Sequence, residues 1–329
     1  MSLPLPDEIF AVTSAAAFEA RALEIFRFQA RECVVYGEYI RLLGLDPEAI
    51  RTVSEIPFMP VTFFRDHLIV TGEGKPEKIF SSSGTTGVRQ SRHAVMRLSI
   101  YHESLERAFR IFYGDPSSYA IMGLLPSYIE REDSSLIYMV NRLMELSGNS
   151  CGGFFRGDRD ALLKSVDVAR REGKKVLLIG VTFALLDMAE QQPVDLSDAV
   201  IMETGGMKGR RTEMIREELH MILKGAFNSS SIHSEYGMTE LLSQAYSKGE
   251  GLFTTPPWMR VLIRDSHDPS SHTSEAGASG GISIIDLANI YSCSFIATSD
   301  LGRMHAGGIF EVLGRFDDAD IRGCNLLVS

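Results

Sequence analysis

Between residues 79 and 233 short apolar runs alternate with amphipathic stretches, and no other feature of the chain restricts its fold so tightly. Residues 119–125, 175–179 and 199–202 are apolar runs of strand length, and 231–233 is short enough for another strand. Residues 134–146, 183–191 and 211–223 carry apolar side chains at helical spacing, and 93–112 reads the same way. Apolar strands separated by helices predict a parallel sheet with helices on both faces. Sheets of that kind take their ligands beyond the carboxyl ends of the strands, where the loops gather. The expected fold class is therefore α/β.

On either side of this region the pattern changes. Residues 15–43 predict one long helix, with Phe18, Leu23, Ile25, Phe26 and Val34 on its apolar side. Pro57 and Pro60 interrupt an apolar patch at 56–64. After about residue 251, short strands at 261–264, 281–286, 295–297 and 309–313 are separated by Gly and Ser, which predicts a small antiparallel β subdomain. Residues 266–281 read as a flexible loop. The expected division is 1–250 for the α/β core and 251–329 for the β subdomain. A chain of 329 residues is long enough to bury a large core without disulfides or metals.

Charge and cysteine usage exclude several classes. The formal net charge is −10 and no Lys/Arg stripe occurs, so nucleic acid is not an expected partner. Cys33, Cys151, Cys293 and Cys324 lie far apart and form no C-x-x-C pair, which fits neither a zinc knuckle nor a disulfide framework. Residues 1–10 carry Asp7 and Glu8 and lack the pattern of a secretory signal. The longest apolar stretch, 176–189, is interrupted by Thr182 and Asp187 and is too short to span a bilayer. The expected location is the cytoplasm, without membrane attachment.

The segment with the clearest chemistry is Ser81-Ser82-Ser83-Gly84-Thr85-Thr86-Gly87, read as a loop from a strand to a helix. Two glycines permit backbone shapes closed to other residues, and hydroxyls with free amides can wrap phosphate oxygens. A following helix would add the positive end of its dipole. It is not a Walker loop, because Val88 and Arg89 follow Gly87. The alternative is a polar turn built of small residues.

This loop resembles the phosphate-binding loop of the adenylate-forming superfamily, which contains acyl-CoA ligases and firefly-type luciferases. Tyr236-Gly237-Met-Thr239-Glu240 is similar to the superfamily's second core motif. Thr298-Ser-Asp300-Leu-Gly resembles the segment whose Asp holds the ribose hydroxyls, and Gly314-Arg315-Phe-Asp-Asp resembles the hinge motif, whose Arg also reaches the ribose. The four stand in the expected order over residues 81–323. Within the superfamily the chain is most similar to the acyl-protein synthetases of bacterial bioluminescence, partly through residues 56–64, with phenylacetate-CoA ligases as relatives. The resemblance implies the large N-terminal domain of such an enzyme, with the mobile C-terminal domain and its lysine missing.

The resemblance implies ATP and Mg²⁺ as cofactors and a carboxylic acid, a fatty acid first among the candidates, as substrate. Glu240 would hold Mg²⁺; Thr239, with Thr85 or Thr86, would donate to the α-phosphate. Tyr236 would flank adenine or serve as a half-buried core tyrosine. Asp300 would accept from the ribose hydroxyls, and Arg315 would meet ribose or phosphate. Lys208 follows a strand and would replace the lysine of the missing domain. His233, just before the second motif, would line a pocket or sit satisfied in the core. Cys324, near the C-terminus, would attack the adenylate as a thiolate or be a small buried filler. The expected activity is that of an acyl-protein synthetase passing its acyl group onward to a reductase. The alternatives are ligation to coenzyme A or a carrier protein, and a nucleotide-binding module without turnover.

Overall fold

The computed structural model describes residues 6–83, 89–126, 131, 133–191, 193–205 and 214–316. They divide into two compact units. One draws on the described parts of Phe64–Leu68 and Gly74–Pro256, the other on those of Met1–Phe63, Ile69–Glu73 and Pro257–Ser329. The sequence partition at 250 groups residues 1–63 with the α/β core; in the structure they cluster with the C-terminal strands.

The first unit is built on a parallel sheet. Strand Tyr119–Leu124 pairs in parallel with Gly153–Phe154 on one side and Lys175–Val181 on the other. Val200–Thr204 and Ile232–Tyr236 extend the sheet in parallel, and Ala245–Ser247 closes it antiparallel. Every residue of Tyr119–Leu124 is buried. That is why these strands are continuous apolar runs rather than alternating ones. The connecting helices are Leu98–Tyr113, Ser135–Ser147, Arg159–Arg171, Thr182–Ala189 and Arg216–Phe227. Ser134 and Asp158 start two of them by accepting the Ile137 and Ala161 amides, at 3.4 and 3.0 Å. Gly148, at φ 62°, ends the first of these in the left-handed region open to glycine.

Two expectations fail here. Residues 93–112 are not one helix: Arg92–Val95 is a strand, antiparallel to Lys78–Ser81 with Ser81 opposite Arg92. The Ser/Thr/Gly loop therefore joins two strands of a hairpin, and the helix begins only at Leu98. Among the described residues the strand Arg92–Val95, not a helix N-terminus, follows the loop. In addition, Arg159–Arg171 is a full helix that the strand-and-helix reading passed over.

In the second unit the predicted long helix is two, Ala15–Glu32 and Val34–Leu42, broken at the extended Cys33. Gly37 permits the close return, since a Cβ there would lie 2.5 Å from the Ala30 carbonyl oxygen. The antiparallel sheet runs in the order Phe310–Arg315, Phe295–Met304, Ser279–Asp286, Met259–Arg264, His272–Thr273. The two-residue strand His272–Thr273 interrupts the expected loop at 266–281, whose last residues already belong to strand Ser279–Asp286. Met59–Pro60, from the proline-interrupted patch, lies parallel to Phe295–Met304, with Met59 opposite Ile296. Phe26, Tyr36, Phe58 and Phe295 pack ring to ring in the core. Beside them the buried Gln29 amide donates to Asn289 and Ile290 carbonyls and accepts from the Ser294 N–H. All of these groups are paired, as buried polar groups must be.

Candidate active site

The base of the Ser/Thr/Gly loop is described; Gly84, Thr85, Thr86 and Gly87 lie outside the described residues. Ser82 closes the hairpin twice. Its N–H donates to the Ser91 carbonyl, and its Oγ accepts from the Ser91 N–H, both at 3.0 Å. Arg131 donates to the carbonyls of Ser81 and Ser82 at 3.3 and 3.0 Å and to Asp133 Oδ2 at 3.2 Å. The Ser81 N–H in turn reaches the Asp133 carbonyl at 2.9 Å. Burial pushes the Asp133 carboxyl up, but Ser81 and Arg131 outweigh it and hold it below its ordinary range. Arg131 and Asp133 went unnoticed in the sequence, because nothing local links them to a loop fifty residues away.

The hairpin is tied to the second motif. His93 is fully buried, and its Nδ1–H donates to the Thr239 carbonyl at 2.8 Å. Helix Leu98–Tyr113 adds a second tie through Ser104 Oγ and Ser243 Oγ, 3.0 Å apart and buried. The segments at 81–83 and 236–240 thus share one unit and one hydrogen-bonded frame. Tyr236 is half-buried, its ring edge-on to Phe253. Thr239 is half-buried and Glu240 is 6% exposed. His233 is satisfied by Tyr113, whose hydroxyl lies 3.1 Å from Nδ1, and burial drives the imidazole pKa down to about 4.

Two buried glutamates, neither singled out from the sequence, mark the carboxyl edge of the sheet. Glu203 stands opposite Ser234, and Thr204 opposite Glu235. Because strand side chains alternate, the two carboxyls point to opposite faces. Glu203 meets Thr182 Oγ1 at 3.3 Å, Arg216 Nε at 3.5 Å and His220 Nε2 at 3.8 Å. Burial raises its pKa, but His220 and Arg216 reverse the sign, so it is ionised at neutral pH. Glu235 accepts from the Thr204 hydroxyl, and no cation pairs with it among the described residues. Burial drives its pKa up to about 7, against the Thr204 hydrogen bond and with help from the Glu203 charge.

In the other unit, Asp300 and Arg315 stand opposite each other on adjacent strands, Arg315 Nε donating to Asp300 Oδ1 at 3.3 Å. Asp300 is 8% exposed, whereas the Arg315 side chain is 74% exposed. Thr298 Oγ1 accepts the Asp300 N–H, which fixes the start of the Asp-Leu-Gly segment. Lys208 and Cys324 lie outside the described residues. Cys33, Cys151 and Cys293 are buried, as expected of core thiols.

A unit on a parallel sheet that bears two of the motifs, and a second unit on an antiparallel sheet, are the elements of the large domain of adenylate-forming enzymes. Solved structures agree on the fold. O-succinylbenzoate coenzyme A synthetase (MenE) from Bacillus subtilis, in complex with AMP, is similar at TM-score 0.52 and 16% identity over 74% of this chain and 62% of that one. The luciferase-like enzyme of the nonluminescent mealworm Zophobas morio is similar at TM-score 0.50 and 13% identity, over 83% and 62%. The chain spans less than two thirds of the length of either. No curated protein matches it. Residues 11–329 match the acyl-protein synthetase family LuxE, and the chain belongs to that family.

Proposed function

We propose that this protein is an AMP-forming ligase that activates a carboxylic acid with ATP and passes the acyl group to a thiol, its own Cys324 first. The observation that carries the reading is the bond from His93 to the Thr239 carbonyl, which joins the hairpin of the Ser/Thr/Gly loop to the Tyr-Gly-Met-Thr-Glu segment. A hydrogen bond between segments 146 residues apart in sequence supports one ligand using both motifs. Family membership supports the same chemistry.

In this reaction a carboxylate oxygen attacks the α-phosphorus of ATP, and the bond to pyrophosphate breaks. The thiolate then attacks the acyl carbonyl, and AMP leaves with the carbonyl–oxygen bond pair. Neither step needs covalent help from the protein before the thiol acts, so its task is positioning and charge stabilisation. Ser81, Ser82, Ser83, Gly84, Thr85, Thr86 and Gly87 would wrap the phosphates, and Thr239 would donate to the α-phosphate. Tyr236 and Gly237 would border the adenine. Asp300 would accept from the ribose and Arg315 would donate to it. Lys208 would supply a cation to the phosphates.

Magnesium fits the donors present. Among the described residues no three His, Cys, Asp or Glu side chains cluster. A Mg²⁺ ion bound to phosphates needs only one or two protein carboxylates, and Glu240 provides one. The ion would neutralise charge on the phosphate oxygens. A fatty acid passed on to a reductase is the proposed substrate and route.

The test is incubation with ATP, Mg²⁺ and a panel of acids of different chain length. A hydroxylamine-labile mass gain that disappears in Cys324→Ser is the expected result. Pyrophosphate exchange without that gain would move the acceptor to coenzyme A or a carrier protein. Absence of both would leave a nucleotide-binding module and overturn the reading. Unimpaired exchange in Lys208→Met would remove that lysine from the mechanism.

A further inference from the structure

We propose that Glu235 is a positioning residue of the nucleotide site, which as a neutral acid holds the Tyr236–Glu240 segment in place and on ionisation releases it. The inference rests on the ligase reading for its functional consequence, but its physical part stands on the sheet alone.

Glu235 is the penultimate residue of strand Ile232–Tyr236, immediately before Tyr236 opens the motif. One oxygen takes the Thr204 hydroxyl from the neighbouring strand. The other lies so close to the motif backbone that a Cβ on Gly237 would stand 2.4 Å from Oε1. The carboxyl is therefore wedged between the end of strand Val200–Thr204 and the bend that starts Gly237-Met-Thr-Glu. A group in that position sets the bend by its volume and its charge.

The surroundings favour the uncharged form. Tyr101 and Tyr113 face it from helix Leu98–Tyr113, and Tyr246 from the next strand. All three are phenols held neutral by burial, and the Tyr246 hydroxyl has no hydrogen-bond partner among the described residues. His233, on the same strand and face, is neutral above about pH 4. Lys248, just after the strand of Tyr246, sits over the Tyr113 ring, 5.8 Å from its centroid. Glu203, ionised on the adjacent strand, repels a second negative charge. An ion in such a site draws in water or moves, and either displaces Gly237.

Two measurements test this. The first is the KM for ATP against pH, separated from kcat, in the wild type and in Glu235→Gln, which mimics the neutral acid. If only the neutral form binds ATP, the wild-type KM should rise about tenfold between pH 6 and pH 8, with the Gln variant staying at the low value throughout. A Gln variant that follows the wild-type curve, or a wild type without the rise, overturns the proposal. Thr204→Val supplies a second variant. It removes a donor that favours the charged form, so the KM transition should move to higher pH, and an unmoved transition also overturns it.

The second measurement needs no turnover. A carboxyl raised in the folded state contributes stability that is complete below its unfolded pKa and lost as pH rises through about 7. The thermal midpoint of the wild type should therefore fall relative to Glu235→Gln from pH 5 to pH 8. Parallel midpoints mean that Glu235 does not titrate in this range and refute the proposal. If no acid supports an ATP-dependent reaction, the ligase reading fails while the titration of Glu235 is still decided.

Discussion

Glu203 and Glu235 differ in sequence by nothing that a reader could use: each is one glutamate near the end of a short strand. Their partners separate them. Arg216 and His220 reach Glu203 from a helix that starts 13 residues after it, so its charge is paired. Replacing it by Gln leaves the Arg216 guanidinium and the His220 ring facing a neutral amide in a buried site, and we expect a loss of about 3 kcal/mol in urea unfolding at pH 7. Because the Glu203 pKa is depressed, that contribution is present above the unfolded pKa and fades as pH falls through the folded one. The gap between variant and wild type should therefore close in acid. Gly237→Ala tests the other carboxyl. The new methyl meets Glu235 Oε1 at 2.4 Å, and we expect KM for ATP to rise about tenfold with the fold retained by circular dichroism, at a stability cost of about 1–2 kcal/mol.

Elements were legible in proportion to how locally they are determined. Strand Tyr119–Leu124 is fully buried, so it reads as an uninterrupted apolar run and was placed to within a residue. Strand Arg92–Val95 was lost in a helix, because Ser91-Arg-His-Ala-Val carries no alternation and its pairing partner lies before the loop. The break at Cys33 was equally hidden: what folds the chain back is contact between Gly37 and the Ala30 carbonyl, not a local breaker. Gly37→Ala should thus force the two helices apart. Backbone cannot yield as a side-chain tip can, and we expect a cost of about 2 kcal/mol, read as a lower thermal midpoint. At the hairpin, Arg131→Ala should act locally. Amide exchange at Ser81 and Ser82 should accelerate by about tenfold while the core strands keep their protection, since the arginine holds only the loop base. Unchanged exchange at both serines would show that the strand pairing alone fixes it.

Across the whole molecule, the sequence motifs name candidate residues more sharply than the sequence pattern delimits the units. Ser82, Thr239 and Glu240 could be named because short motifs fix residue identity, but the frame between them, through His93 and Ser104, joins positions up to 146 residues apart. The cysteines make a molecule-wide prediction. Cys33 and Cys293 are raised by burial, and Cys151 is raised chiefly by its bond to Glu172 Oε2 at 3.0 Å. All three should resist iodoacetamide under native conditions and react in urea, as peptide mapping would record. Any fast native alkylation would then report on Cys324 alone.

The short parallel pairing of Met59–Pro60 with Phe295–Met304 has a temporal consequence. During synthesis residues 15–63 leave the ribosome well before the strands from Met259 onward that cover Phe26, Tyr36 and Phe58. The parallel sheet can condense in the interval, since all its strands precede residue 256. Residues 15–63 wait meanwhile with their aromatic side chains uncovered, a target for chaperones.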